Sequence, residues 1–164
     1  MKKNPADAAT RDRMQPGAIS AEGFLGADDR PIAEIVAADE AVLEEAGVTR
    51  EQLGDMLEEI HRRADEGFGA TVPLGRGVKA ELTEVMGRIP CPFGCGARAH
   101  KAVIRVTLPD ERQVLVTPLH AHLIREHGFF QGGGSVFRLE PRDVIAMFRL
   151  LTTPAPDADS VPES

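Results

Sequence analysis

The sequence predicts an α+β protein: an acidic helical hairpin, then a small β-hairpin and helix domain, with disordered termini. Three observations predict it. Apolar residues recur at three- and four-residue spacing between Ile32 and Ile60. They alternate with polar residues from Val78 to Thr83, and short apolar runs follow in "KAVIRVTL" and "QVLVT". Neither end of the chain has such a period.

Residues 1–24 are rich in Ala, Asp, Gly and charge, and read as a disordered arm. The first residues include two lysines but no apolar run, so they do not read as a secretory signal. Residues 25–68 read as the helical hairpin. Asp28 or Asp29 offers a cap, and Pro31 suits a first turn. Ile32, Ile35, Val36, Leu43 and Ala46 share a helical spacing, and Gly47 fits the position after the helix. Thr49 then opens a second helix, with Gln52 three residues on as a capping box. Leu53, Met56, Leu57 and Ile60 form its apolar stripe. Glu51, Asp55, Glu58 and Glu59 give this helix the wrong sign for phosphates, so the hairpin reads as a packing or protein-interaction element.

Residues 69–151 read as the β-rich domain. Gly75-Arg76-Gly77 can turn the chain, and Val78, Ala80 and Leu82 give the following strand one buried face. Two more strands are joined at Pro109-Asp110-Glu111. In "TPLHAHLIREHG" Thr117 caps a short helix, Pro118 takes its first position and Gly128 stops it. "SVFRLE" reads as a last strand and "PRDVIAMFRLL" as a last helix. The glycines of "FFQGGGSVFR" read as a flexible connection that lets Phe129 and Phe130 pack; a backbone nest for an anion is the weaker reading. Residues 152–164 carry three prolines and three acids and read as a disordered tail.

Hydrophobic residues make up 42% of the chain, enough for a core. Aromatics are 4%, without Trp or Tyr, which argues against a stacking surface for single-stranded nucleic acid. No apolar run reaches the roughly 18 residues of a membrane span. A cytoplasmic, reducing compartment is expected, where a close Cys pair reads as a metal or redox element. Charge is uneven. Residues 1–86 hold 10 Lys and Arg against 18 Asp and Glu, whereas residues 87–151 hold 9 against 5. The two halves face each other, or the basic half meets an anionic partner.

"RIPCPFGCGARAH" contains the only two cysteines, and four of the five histidines lie between residues 100 and 127. His120, His122 and His127 fall on one short helix. Zinc takes four thiolate or imidazole donors in a tetrahedron, and a thiolate pair on a turn with an imidazole pair on a helix supplies them. His61 and His100 read as ordinary polar histidines.

"CPFGCG" resembles a zinc knuckle of the form Cys-Pro-x-Cys-Gly, with one extra residue between the thiols. "LHAHLIREH" is similar to the helix of a two-Cys, two-His zinc finger: Leu119, His122 and His127 match it. The resemblance covers residues 91–129 and implies Zn2+ on Cys91, Cys95, His122 and His127. Between Cys95 and His122 stand 26 residues, where that finger has about a dozen. A treble-clef finger is equally similar and would favour His120 over His127. On an ideal helix His120 and His127 share a face but lie about 10 Å apart by rise, while His122 and His127 are splayed by about 140°. The second pair closes if the last turn loosens at Gly128. His122 with His127 is therefore the preferred pair, and His120 the runner-up. Glu126 falls near Leu119 on the same wheel and is expected to be half-buried.

Four protein ligands leave no open position for water, so the zinc is expected to be structural. The leading function is a cytosolic binding or regulatory module for nucleic acid or a protein partner. Arg98, Lys101, Arg105 and Arg125 would make the nucleic-acid contacts. The alternative is a small metal-dependent hydrolase or nuclease using His120 and Glu126, although no His-Glu-x-x-His run is present.

Overall fold

The computed structural model describes residues 5–153. Helix α1 spans Pro5–Arg13, α2 Ile32–Ala46 and α3 Arg50–Asp65. Strands β1 Val72–Gly75, β2 Val78–Pro90, β3 Arg98–Thr107 and β4 Gln113–Val116 follow, then α4 Pro118–His127 and α5 Pro141–Thr152. The architecture is α+β, with one antiparallel sheet in the order β1-β2-β3-β4.

Local signals set most of these boundaries. Gly47 ends α2 in the left-handed region, and Thr49 and Gln52 exchange their capping-box hydrogen bonds at 2.9 and 3.1 Å. The β1–β2 turn runs through Gly75, Arg76 and Gly77, all at positive φ. In the β3–β4 turn Glu111 N–H donates to Leu108 O at 2.9 Å.

Val78, Ala80 and Leu82 of β2 lie buried against α3, with Ala102, Ile104 and Val106 of β3 beside them. These residues, Leu53, Leu57 and Ile60 of α3, and Val144 and Met147 of α5 form one core. The segments read as a hairpin and a β-rich domain thus share their interior. Burial alternates from Val78 to Thr83 of β2 and from Ala102 to Thr107 of β3, so Lys79 and Arg105 stand on the exposed face of the sheet.

A second apolar cluster forms on the other side of α4. Met14, Phe24, Leu25, Ile32 and Ile35 meet Cys91, Leu119, Leu123 and Phe129 there. Residues 5–25 therefore differ from the arm expected over 1–24. The sequence pattern hides this because only Thr10 and Met14 share a helical spacing, while Phe24 and Leu25 are adjacent residues outside any helix or strand. Residues 154–164 of the tail lie outside the described residues.

"SVFRLE" is not a strand but begins with a turn, in which Arg138 N–H donates to Ser135 O. Arg138 is drawn inward. Its guanidinium donates to both carboxylate oxygens of the buried Asp39 of α2 at 2.9 and 3.0 Å, and to Gln131 O at 2.6 Å. A largely covered cation needs those partners, and they outweigh the strand preference of Val136 and Phe137. The glycines before it are packed rather than loose: a Cβ on Gly132 would lie 2.4 Å from Leu25 O. The anion their backbone meets is the chain's own, since Gly133 N–H donates to Asp28 Oδ2 at 2.8 Å. Two hydrogen bonds from the Arg30 side chain, with help from Gly133, hold Asp28 well below the usual carboxylate range.

Candidate metal centre

The knuckle is the loop of the β2–β3 hairpin. Pro90 pairs with Arg98 and Ile89 with Ala99, which closes the strands just below it. Cys91 N–H donates to Ala97 O at 2.9 Å, and Gly94 N–H returns to Cys91 O at 3.1 Å. Gly94 has a φ of 75°, a conformation that costs a larger residue. Helix α1 braces the outside, where Arg13 Nε donates to Pro92 O at 2.6 Å.

The hairpin tip sits against α4. Cys91 Sγ lies 3.5 Å from His127 Nε2, and Cys95 Sγ lies 3.2 Å from His122 Nε2. All four donor atoms fall within 4.8 Å of one another, a possible Cys2His2 metal site. Zinc–sulfur bonds of about 2.3 Å and zinc–nitrogen bonds of about 2.0 Å in a tetrahedron put donors roughly 3.3 to 3.8 Å apart. The two measured pairs are at or just below that range. Among the described residues this is the one such group of Cys, His, Asp and Glu.

The splay of the two histidines resolves into a bracket. On an ideal helix their bisector points about where Leu119 points. Leu119, Leu123 and Cys91 pack together on that side. Cys91 packs on this strip, and the outer nitrogen of each imidazole faces one sulfur. The rings meet edge-to-face with centroids 5.1 Å apart. Gly128, left-handed at φ 64°, ends α4 directly after His127.

Burial and charge fit a cation. Cys91 is buried, Cys95 exposed, and both histidines are half-buried. Burial pushes the Cys91 thiol up to about 11, against backbone N–H groups of Phe93 and Cys95 that point at its sulfur. Burial, aided by the neighbouring His122, lowers the pKa of His127 and favours the neutral imidazole that a metal needs.

His120 is elsewhere. It is fully buried, and its Nδ1 accepts the Thr117 backbone N–H at 2.8 Å while Nε2 lies 2.8 Å from Phe137 O. A backbone N–H can only donate and a carbonyl only accept, so Nδ1 is bare and Nε2 carries the proton. His120 closes the cap of α4, as Gln52 does for α3, and neither nitrogen is left for a metal or a substrate. The signal was in the sequence, three residues after Thr117. Glu126 is exposed rather than half-buried.

Of the basic residues, Arg98, Lys101 and Arg105 are exposed. Arg105 Nη1 lies 4.0 Å from Glu81. Arg125 reaches across to α3, 2.7 Å from Asp55 and 3.3 Å from Glu58. Sequence reasoning did not single out Phe93, whose ring stacks on His127, or Arg13. The chain matches no protein-family model, no curated protein and no solved structure.

Proposed function

We propose that the protein is a binding or regulatory module organised by a structural Zn2+ on Cys91, Cys95, His122 and His127. The observation that carries this reading is the convergence of the four donor atoms within 4.8 Å. Two thiolates and two imidazoles suit zinc far better than the hard cations Mg2+ or Ca2+. Four protein donors complete its tetrahedron, so the ion supplies folding energy rather than an activated water. It joins the β2–β3 tip to α4 and fixes the surface around them. Elemental analysis after purification under reducing conditions should give one zinc per chain, and Co2+ exchange should give the intense visible spectrum of a tetrahedral thiolate site. Absence of both would remove the reading.

The partner of that surface is another protein. Arg125 is already neutralised by Asp55 and Glu58, while Met86 and Val85 stand exposed on the hairpin arm, Met86 at 94%. Nucleic acid is the second reading, carried by Arg98, Lys101 and Arg105. Binding to a mixed-sequence duplex at two salt concentrations separates the two. Salt-sensitive binding lost in Lys101→Ala would favour nucleic acid, and none at low salt would leave the protein partner.

A further inference from the structure

A close thiol pair can hold a metal or change redox state, and the reading above uses only the first capacity. The two sulfurs are unequal in access: Cys95 is exposed and Cys91 is buried. They lie within 4.8 Å of each other, and a disulfide would bring them to about 2.05 Å. The chain has no third cysteine, so each is the other's one partner within the molecule.

The loop has the freedom to close that gap. Gly94 N–H donates to Cys91 O at 3.1 Å, which folds the chain back toward Cys91. Gly94 and Gly96 flank Cys95, at φ 75° and 91°. A Cβ on Gly96 would meet nothing within 4 Å, so Cys95 has open space beside it and a permissive backbone on both sides.

The same loop is tied to the N-terminal segment. Arg13 Nε donates to Pro92 O at 2.6 Å, and a Cβ on Gly94 would lie 2.9 Å from Arg13 Nη2. Cys91 itself packs in the cluster that holds Met14, Phe24 and Leu25. A change at the two sulfurs therefore acts on residues 10–25 directly.

We propose that Cys91 and Cys95 form a reversible switch sensitive to hydrogen peroxide, in which a disulfide between them releases the zinc and loosens residues 10–25. The proposal rests on the metal reading. Cys95, the accessible residue, reacts first: its sulfur attacks one oxygen of the peroxide, the O–O bond breaks, hydroxide leaves, and Cys95 becomes a sulfenic acid. Cys91 then attacks that sulfur, the S–S bond forms and a second hydroxide leaves. Two thiolates lose two electrons, and one peroxide gains them. The disulfide sulfurs carry no charge, so His122 and His127 alone remain as donors, two fewer than a closed zinc site needs.

The test treats the zinc-loaded full chain with hydrogen peroxide at about one to ten equivalents. A chromophoric chelator follows released zinc, intact mass follows the cysteines, and hydrogen exchange follows the fold. Zinc should appear in step with a loss of about 2 Da per chain, the two hydrogens of a disulfide. Exchange in residues 10–25 should become about tenfold faster while the centre of β3 is unchanged. Dithiothreitol with added Zn2+ should restore the starting state. A chain purified without zinc would overturn the metal reading and this proposal together. Zinc present at the start but retained after disulfide formation would overturn the switch alone. Added oxygen atoms in place of the mass loss, disulfide-linked dimers, unchanged exchange in residues 10–25, or failure of the reductant to reverse the change would do the same.

Discussion

Phe93 lies flat on His127, with ring centroids 4.1 Å apart and planes 7° from parallel. Phe93 comes from the middle of the knuckle and His127 from the last residue of α4, so the stack joins the two halves of the donor set. Phe129 meets Phe93 edge-on at 5.4 Å and holds it there. A ligand whose ring plane is chosen before the ion arrives loses less freedom on binding. Phe93→Ala should therefore weaken zinc affinity by about tenfold, while Phe93→Tyr should keep most of it. Competition against a chromophoric chelator measures both. Equal affinities in all three proteins would show that the stack orients nothing.

Metal removal should act first on the cluster around Cys91. That cluster contains Met14, Leu119, Leu123 and Phe129 and is tied to a donor, whereas the core around Ile104 and Leu57 contains none. After chelation, hydrogen exchange should speed up in residues 88–100 and in α1, and change little at the centre of β3. Uniform protection before and after chelation would argue against a structural ion.

Zinc uptake should release about two protons near pH 7.5. Thiols bind metal as thiolates but are protonated when free at that pH, and burial keeps the Cys91 thiol protonated without a cation. Calorimetry in buffers of different ionisation enthalpy counts the protons. Cys95→Ser should release about one, and a count near zero in the intact protein would mean that the sulfurs do not ligate.

His120 should make the fold acid-sensitive. Burial lowers its pKa to about 4 in the folded state, against about 6.5 unfolded. The unfolded chain then binds more protons between those values, so stability is complete above pH 6.5 and declines as pH falls toward 4. The full effect is about 3 kcal/mol. His120→Gln keeps the capping geometry without an ionisable group, so its metal-free form should show a smaller loss over this window than metal-free wild type. Parallel urea midpoints from pH 7 to pH 4 in the two proteins would rule His120 out as the cause.

Gly54→Ala should destabilise the protein although alanine is the better helix former. The added Cβ would sit 2.9 Å from Arg125 Cβ and 3.2 Å from Ala121 O, where α3 and α4 cross. The helix-propensity gain of about 1 kcal/mol is outweighed by forcing the crossing apart, for a net loss of about 1 kcal/mol. Urea unfolding gives the value, and a gain in stability would mean that the crossing is loose.

The elements set by local chemistry were legible in the sequence. Thr49 with Gln52, Gly47, the Gly75-Arg76-Gly77 turn and the alternation from Val78 are short-range effects, since each acts within a few residues of chain. Cys91, Cys95, His122 and His127 also stood out, because their residue types and spacing suit one ion whatever the fold. Tertiary structure decided what depends on distant partners. Arg138 turned inward rather than joining a strand because Asp39, 99 residues earlier in the chain, meets its guanidinium. Met14, Phe24 and Leu25 became an interior only when Cys91 and α4 were laid against them. The choice between His120 and its neighbours was made by Thr117 N–H and Phe137 O, which consumed both nitrogens of one ring. Residue identity limits the chemistry a chain can perform, but a side chain's hydrogen-bond partners decide which part of it remains free to act.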